Sequence, residues 1–167
     1  MSILGPLLQD PQVKIVAFNA EYELGVINNY WPTYNVTSDK FIDIQALAGF
    51  FGYPIQLDQF CKAIGAELKD KKNGTRLINK LCFAQVPSAY NPEGKWTPET
   101  APKDFEQLYA YCIQDVVAMR SGYKKLPMDD LPPLEALVWR HTILQNQRGL
   151  PIDIELVHRI KKLLMRH

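Results

Sequence analysis

Residues 14–31 read KIVAFNAEYELGVINNYW. Their first six are a β-branched run with a polar end, the pattern of a short buried strand, and the rest has helical spacing with no breaker between the two. A strand that passes directly into a helix is the opening of an α/β unit, and the junction falls at Asn19. Glu23 follows four positions later with Tyr22 beside it, so an amide and a carboxylate are presented one turn apart at the end of a strand. Residues 41–44 supply a second strand, and a short helix follows that Gly52 and Pro54 stop.

A second stretch has equal weight. In residues 105–123, FEQLYAYCIQDVVAMRSGY, Phe105, Leu108, Cys112, Val116, Met119 and Tyr123 recur at steps of three and four, which predicts an amphipathic helix packed along that stripe. Asp115 lies roughly 80° from the centre of the stripe, with Tyr111 one turn before it on the same side. A carboxylate at the rim of a core is costly unless a cation meets it. An isolated Y-x-x-x-D is nevertheless more often a surface Asp beside a packed Tyr.

Asn19 with Glu23, followed by Tyr111 with Asp115, resembles the second and third exonuclease motifs of the DEDD 3′→5′ exonucleases. The tyrosine at 111 points to the DEDDy branch that proofreads in family A DNA polymerases. His141, His158 and His167 all follow Asp115, so the histidine variant of the motif has no match. Residues 16–27, 41–82, 108–120 and 131–157 are similar, in order and spacing, to the exonuclease segment of phage-type family A polymerases. The resemblance implies an RNase H-like (DnaQ-like) α/β domain, helix-rich and N-terminally truncated, over residues 1–127. Residues 128–167 then resemble the connection towards a polymerase domain.

The resemblance also implies the chemistry. Two divalent ions, Mg2+ or Mn2+, about 4 Å apart activate a water and stabilise the leaving 3′ oxygen at the end of a single DNA strand. Asp115 and Glu23 are the implied metal ligands, Tyr111 orients the water, Asn19 hydrogen-bonds within the site or to the terminal nucleotide, and Tyr22 packs against that nucleotide's sugar or base. Glu23 stands where the family has Asp, and its extra methylene is expected to carry the carboxylate outward. The first motif, D-x-E, belongs on a strand several tens of residues before Asn19, and the chain begins too late for it. Weak metal affinity and little or no nuclease activity are therefore expected of this chain alone. The strand edge left open is expected to pair with a second copy or with a complementing N-terminal chain. The competing function is a non-catalytic module that binds DNA or a replication partner.

Asp153-Ile154-Glu155 is a literal D-x-E, but it follows a Gly-Leu-Pro turn and opens a helix, where an N-cap with an acid in the first turn accounts for both carboxylates. Asp43 resembles a family position that supports the fold. Residues 69–74, KDKKNG, form a charged turn, with Arg76 and Lys80 on the next helix. This is either a solvated loop or a patch for DNA phosphates. In the proline-rich loop 85–102, Tyr90 and Trp96 either stack on unpaired bases or anchor the loop.

Composition narrows the field. A net charge of +1 over 167 residues gives no bulk affinity for nucleic acid. Cys61, Cys82 and Cys112 show no C-x-x-C spacing and read as reduced core residues of a cytoplasmic protein, the host cytoplasm for a phage product. The N-terminus lacks the pattern of a signal peptide, and no segment has the run of apolar residues that a membrane helix needs.

Overall fold

The computed structural model describes residues 3–67 and 71–165, with the side chains of 71–73 left out. Lys69 and Asp70 of the expected charged turn lie outside the described residues. After a short helix α1 (Leu4–Gln9), strand β1 (Ile15–Ala17) leads through Asn19 into helix α2 (Ala20–Tyr30). Two 3-10 turns, Pro32–Tyr34 and Ser38–Lys40, return the chain to strand β2 (Phe41–Asp43) and helix α3 (Ile44–Phe50). The strands are parallel, with Ile15 opposite Phe41, Val16 opposite Ile42 and Ala17 opposite Asp43. Parallel neighbours need a crossover, and α2 provides it.

Side chains alternate along a strand, so this small sheet has a core on each face. On one side Ala17 and Phe41 pack with Ala20, Leu24, Val36 and Ile143, and Trp139 lies against them. On the other, Val16 and Phe18 meet Ile44, Ala48, Phe60, Cys61 and Ala118. Burial of both faces is what a parallel sheet requires. Among the described residues each strand pairs only with the other, so each leaves one edge unpaired.

Four further helices follow β2 and α3: α4 (Leu57–Ala63), α5 (Lys71–Leu81), α6 (Pro102–Tyr123) and α7 (Pro133–Arg148). The last element is α8 (Ile154–Leu164). The expected turn at 69–74 is corrected in its second half, since α5 already begins at Lys71. Gly74 costs a helix about 1 kcal/mol relative to Ala, but the ring of Tyr111 stands where a Cβ at Gly74 would be.

Helix α6 departs from its expected packing. Its buried residues are the small ones, Ala118 and Gly122, because Phe60 of α4 lies so close that a Cβ on Gly122 would sit 2.5 Å from its ring. The middle of the expected stripe is left outward, with Val116 56% exposed and Cys112 exposed as well. Of the three cysteines only Cys61 is a core residue, so the expectation for Cys82 and Cys112 is corrected too.

At the expected division after residue 127, the chain continues into α7, which gives Ile143 and Trp139 to the first core. Helix α8 contributes no buried residue. No helix among the described residues is long and apolar enough to cross a membrane.

Candidate functional site

The strand-to-helix junction is built around Asp43, the last residue of β2. Its Oδ1 accepts from the backbone N–H of Asn19 at 3.1 Å and its Oδ2 from that of Ala20 at 3.2 Å. The same carboxylate accepts from Gln45 N at 2.9 Å and Ala46 N at 3.4 Å, and from the indole N–H of Trp139 at 3.2 Å. One side chain therefore satisfies the first N–H groups of both α2 and α3, a task usually left to each helix's own N-cap residue. Asn19, the N-cap of α2, makes no cap with its side chain and sits in the left-handed region at φ 69°, which Asn tolerates better than most residues. Its exposed amide is thereby left for another use.

Glu23 lies in the first turn of α2. Its Oε2 is out of solvent and meets no hydrogen-bond donor among the described residues. Its longer side chain thus keeps one carboxylate oxygen out of solvent on a residue that is itself only partly buried. Burial pushes the Glu23 carboxyl above its ordinary value, and the negative Asp43 nearby adds to the rise, against an opposing hydrogen bond from its own backbone. Asp43 is also raised by burial, with the backbone donors of Asn19, Gln45, Ala20 and Ala46 pulling the other way. Tyr22, between Asn19 and Glu23 in sequence, is 69% exposed.

Because the folded chain holds the Glu23 proton more tightly than the unfolded chain, stability falls as pH rises from the ordinary value of 4.5 through the raised one. Glu23→Gln is expected to raise stability near neutral pH by about 1 kcal/mol, the low end of what an unsatisfied buried polar group costs. It is also expected to flatten that limb of the pH profile. Urea denaturation of both proteins across that window checks this, and a variant less stable than wild type at neutral pH would show that the carboxylate has a stabilising partner.

Tyr111 and Asp115 come from α6. Tyr111 is half-buried against Gly74 of α5, and the Oδ1 of Asp115 is out of solvent. After burial itself, the charge of Asp115 is the larger of the two influences that lift the Cys112 thiol above its usual range. Asp115 directly precedes Val116, which shares a cleft with Val16 of β1. Asn19 and Ala20 are thus organised by Asp43 at the sheet end, with Glu23 in the helical turn that follows, while Tyr111 packs on Gly74 of α5. Among the described residues there is no group of three or more His, Cys, Asp or Glu side chains able to hold a metal ion.

Of the basic residues on α5, Arg76 and Lys80 already have partners within the chain. Lys80 and Arg76 reach Asp104 at 2.7 and 3.4 Å, and Arg76 also reaches Gln107 at 3.2 Å. The Lys80 ammonium lies 5.0 Å from the centre of the Trp96 ring, a cation–π contact that ties the 85–102 loop down. Tyr90 stays 91% exposed. At the other end of the chain, Asp153 caps α8 by accepting from Leu156 N at 2.9 Å. Glu155 pairs with Arg159 one turn on.

Asp43 is the residue that the motifs under-described. Its one local signal is its place directly before a helix with an apolar start, where an acid caps the first N–H groups.

In sequence the chain is related to a phage DNA polymerase. The relative is the DNA polymerase of Bacillus phage SP02, 30% identical over 107 residues, a region covering 64% of this chain and 16% of that polymerase. The chain therefore spans a small part of the relative's length. No family model matches it, and no solved structure matches it.

Proposed function

We propose that the chain is the exonuclease-type part of a phage DNA polymerase. In this reading it is an RNase H-like domain that contributes Glu23 and Asp115 to a two-ion site for hydrolysing the 3′-terminal phosphodiester of single-stranded DNA. The observation that carries the proposal is the inward Glu23 oxygen with no donor among the described residues. A carboxylate held in that state at a strand end has an evident use as a cation ligand. The relation to a phage DNA polymerase supports the same class. Asn19, with its side chain released from capping, and the exposed Tyr22 are the groups placed to meet the terminal nucleotide, with Tyr111 beside Asp115.

The donor set fits a two-ion site only in part. Magnesium and manganese take oxygen ligands, and two carboxylates fall short of what a pair of such ions needs. No hydrolytic step is therefore assigned to this chain alone. The missing ligands would arrive on an extended segment added at the free edge of β1. A cleft of about 340 Å3 lies beside Val16, walled by Val116, Met119 and Tyr123, and adding a strand to an open edge is a common mode of association. The small donor set also favours a second reading, a non-catalytic module that binds DNA or a replication partner.

Manganese titration followed by amide line broadening tests the shared site. Broadening is expected around both Glu23 and Asp115, and it should weaken about tenfold in midpoint in Asp115→Asn. The chain alone is expected to release no mononucleotide from a 3′-labelled strand. Broadening confined to one of the two carboxylates would sink the common site. Release abolished by Asp115→Ala would instead remove the need for an added segment.

A further inference from the structure

A second cleft, of about 540 Å3, opens between α7 and residues 35–39. That is within the size range of small-molecule sites, about 300–1,000 Å3. One face of α7 lines it at helical spacing through Leu137, Arg140, His141 and Leu144. Its floor is apolar, formed by Leu24 and Val36, which are 2% and 5% exposed. Ser38 and Asp39 face α7 from the other wall.

Arg140 is the group that calls for a ligand. Its Nε is out of solvent and meets no acceptor among the described residues. Asp39, whose carboxylate also accepts the hydroxyl of Thr37, is within electrostatic reach of Arg140 but gives its Nε no hydrogen bond. The amide of Asn28, also in the cleft, is taken up at both ends by the backbone of Val36. A guanidinium in the wall of a cleft with an apolar floor suits an anion carried on a flat body, because the guanidinium fork matches the oxygens of a phosphate.

We propose that this cleft binds a small organic phosphate of the nucleoside monophosphate class. Arg140 holds the phosphate, with the Ser38 hydroxyl and the His141 ring beside it, and Leu24, Val36 and Leu144 receive the base. The choice of a nucleotide among organic phosphates rests on the function proposed above, whose reaction would release one. The pocket itself does not depend on that function.

The test uses the whole chain in EDTA, titrated with deoxyadenosine monophosphate, deoxyadenosine and inorganic phosphate while the amide shifts of α7 and residues 35–39 are followed. Saturable shifts are expected with the monophosphate, and binding about tenfold weaker with either fragment. Arg140→Gln should weaken the monophosphate by about tenfold or more, the usual loss for a charge-assisted hydrogen bond. Leu144→Trp fills the cleft while leaving the charge in place, and it should block binding as well. The proposal is overturned by the absence of saturable shifts, by affinity unchanged in both variants, or by inorganic phosphate binding as tightly as the monophosphate. Since no metal is present, failure here leaves the Glu23 and Asp115 site untouched, and failure there leaves this cleft untouched.

Discussion

Asp43→Ala is expected to destabilise the protein by about 3 kcal/mol or more. The substitution strips the acceptor from the N–H groups of Asn19, Ala20, Gln45 and Ala46 and from the Trp139 indole. Loss of a helix N-cap costs about 1 kcal/mol, and here two helices lose one together. Each donor left buried without an acceptor adds about 1–3 kcal/mol before relaxation and water recover part of it. Asp43→Asn keeps one carbonyl acceptor and is expected to fall between the two. Urea denaturation at neutral pH measures both, and a loss under about 1 kcal/mol for the alanine variant would show that water replaces the carboxylate. The functional consequence is local: this carboxylate holds Asn19 and the start of the helix that carries Glu23, so manganese broadening near Glu23 should weaken in the same variant.

Phe60→Ala is expected to cost about 3–5 kcal/mol, the range for emptying a buried aromatic site. Phe60 is fully buried, with Phe18 tilted against it at 5.8 Å and Tyr53 edge-on at 6.0 Å. It also fills the notch that Gly122 leaves in α6. The cavity would thus open between the end of β1, α4 and α6, next to the cleft that Val16 and Val116 line together. Gly122→Ala approaches the same spot from the other side. It gains about 1 kcal/mol of helix propensity and loses about 1–3 kcal/mol to overpacking, so a net loss is expected. A Gly122→Ala variant more stable than wild type would show that the Phe60 ring can move aside.

How much of this was legible in the sequence depended on the range of the interaction. The passage of β1 into α2, the start of β2 and the capping role of Asp153 are written in adjacent residues, and each can be read locally. The start of α5 was not, because Lys71–Gly74 has the composition of a turn and only the distant Tyr111 ring gives Gly74 a place in a helix. The stripe of α6 was read as wholly packed because periodicity reports which residues share a face. It does not report how far a two-stranded sheet extends beneath that face. Likewise the shielding of one Glu23 oxygen depends on what surrounds α2, which a comparison of side-chain lengths does not report.

The bond from Trp139 to Asp43 joins positions 96 residues apart, and it has a consequence for how the molecule is made. While the ribosome is still adding residues beyond β2, the carboxylate that seats both helix starts has neither its indole nor Ile143 above the sheet. The nascent N-terminal half must wait, unfinished, for most of the remaining chain to emerge, and closing so long a loop is slow compared with forming the helices on either side.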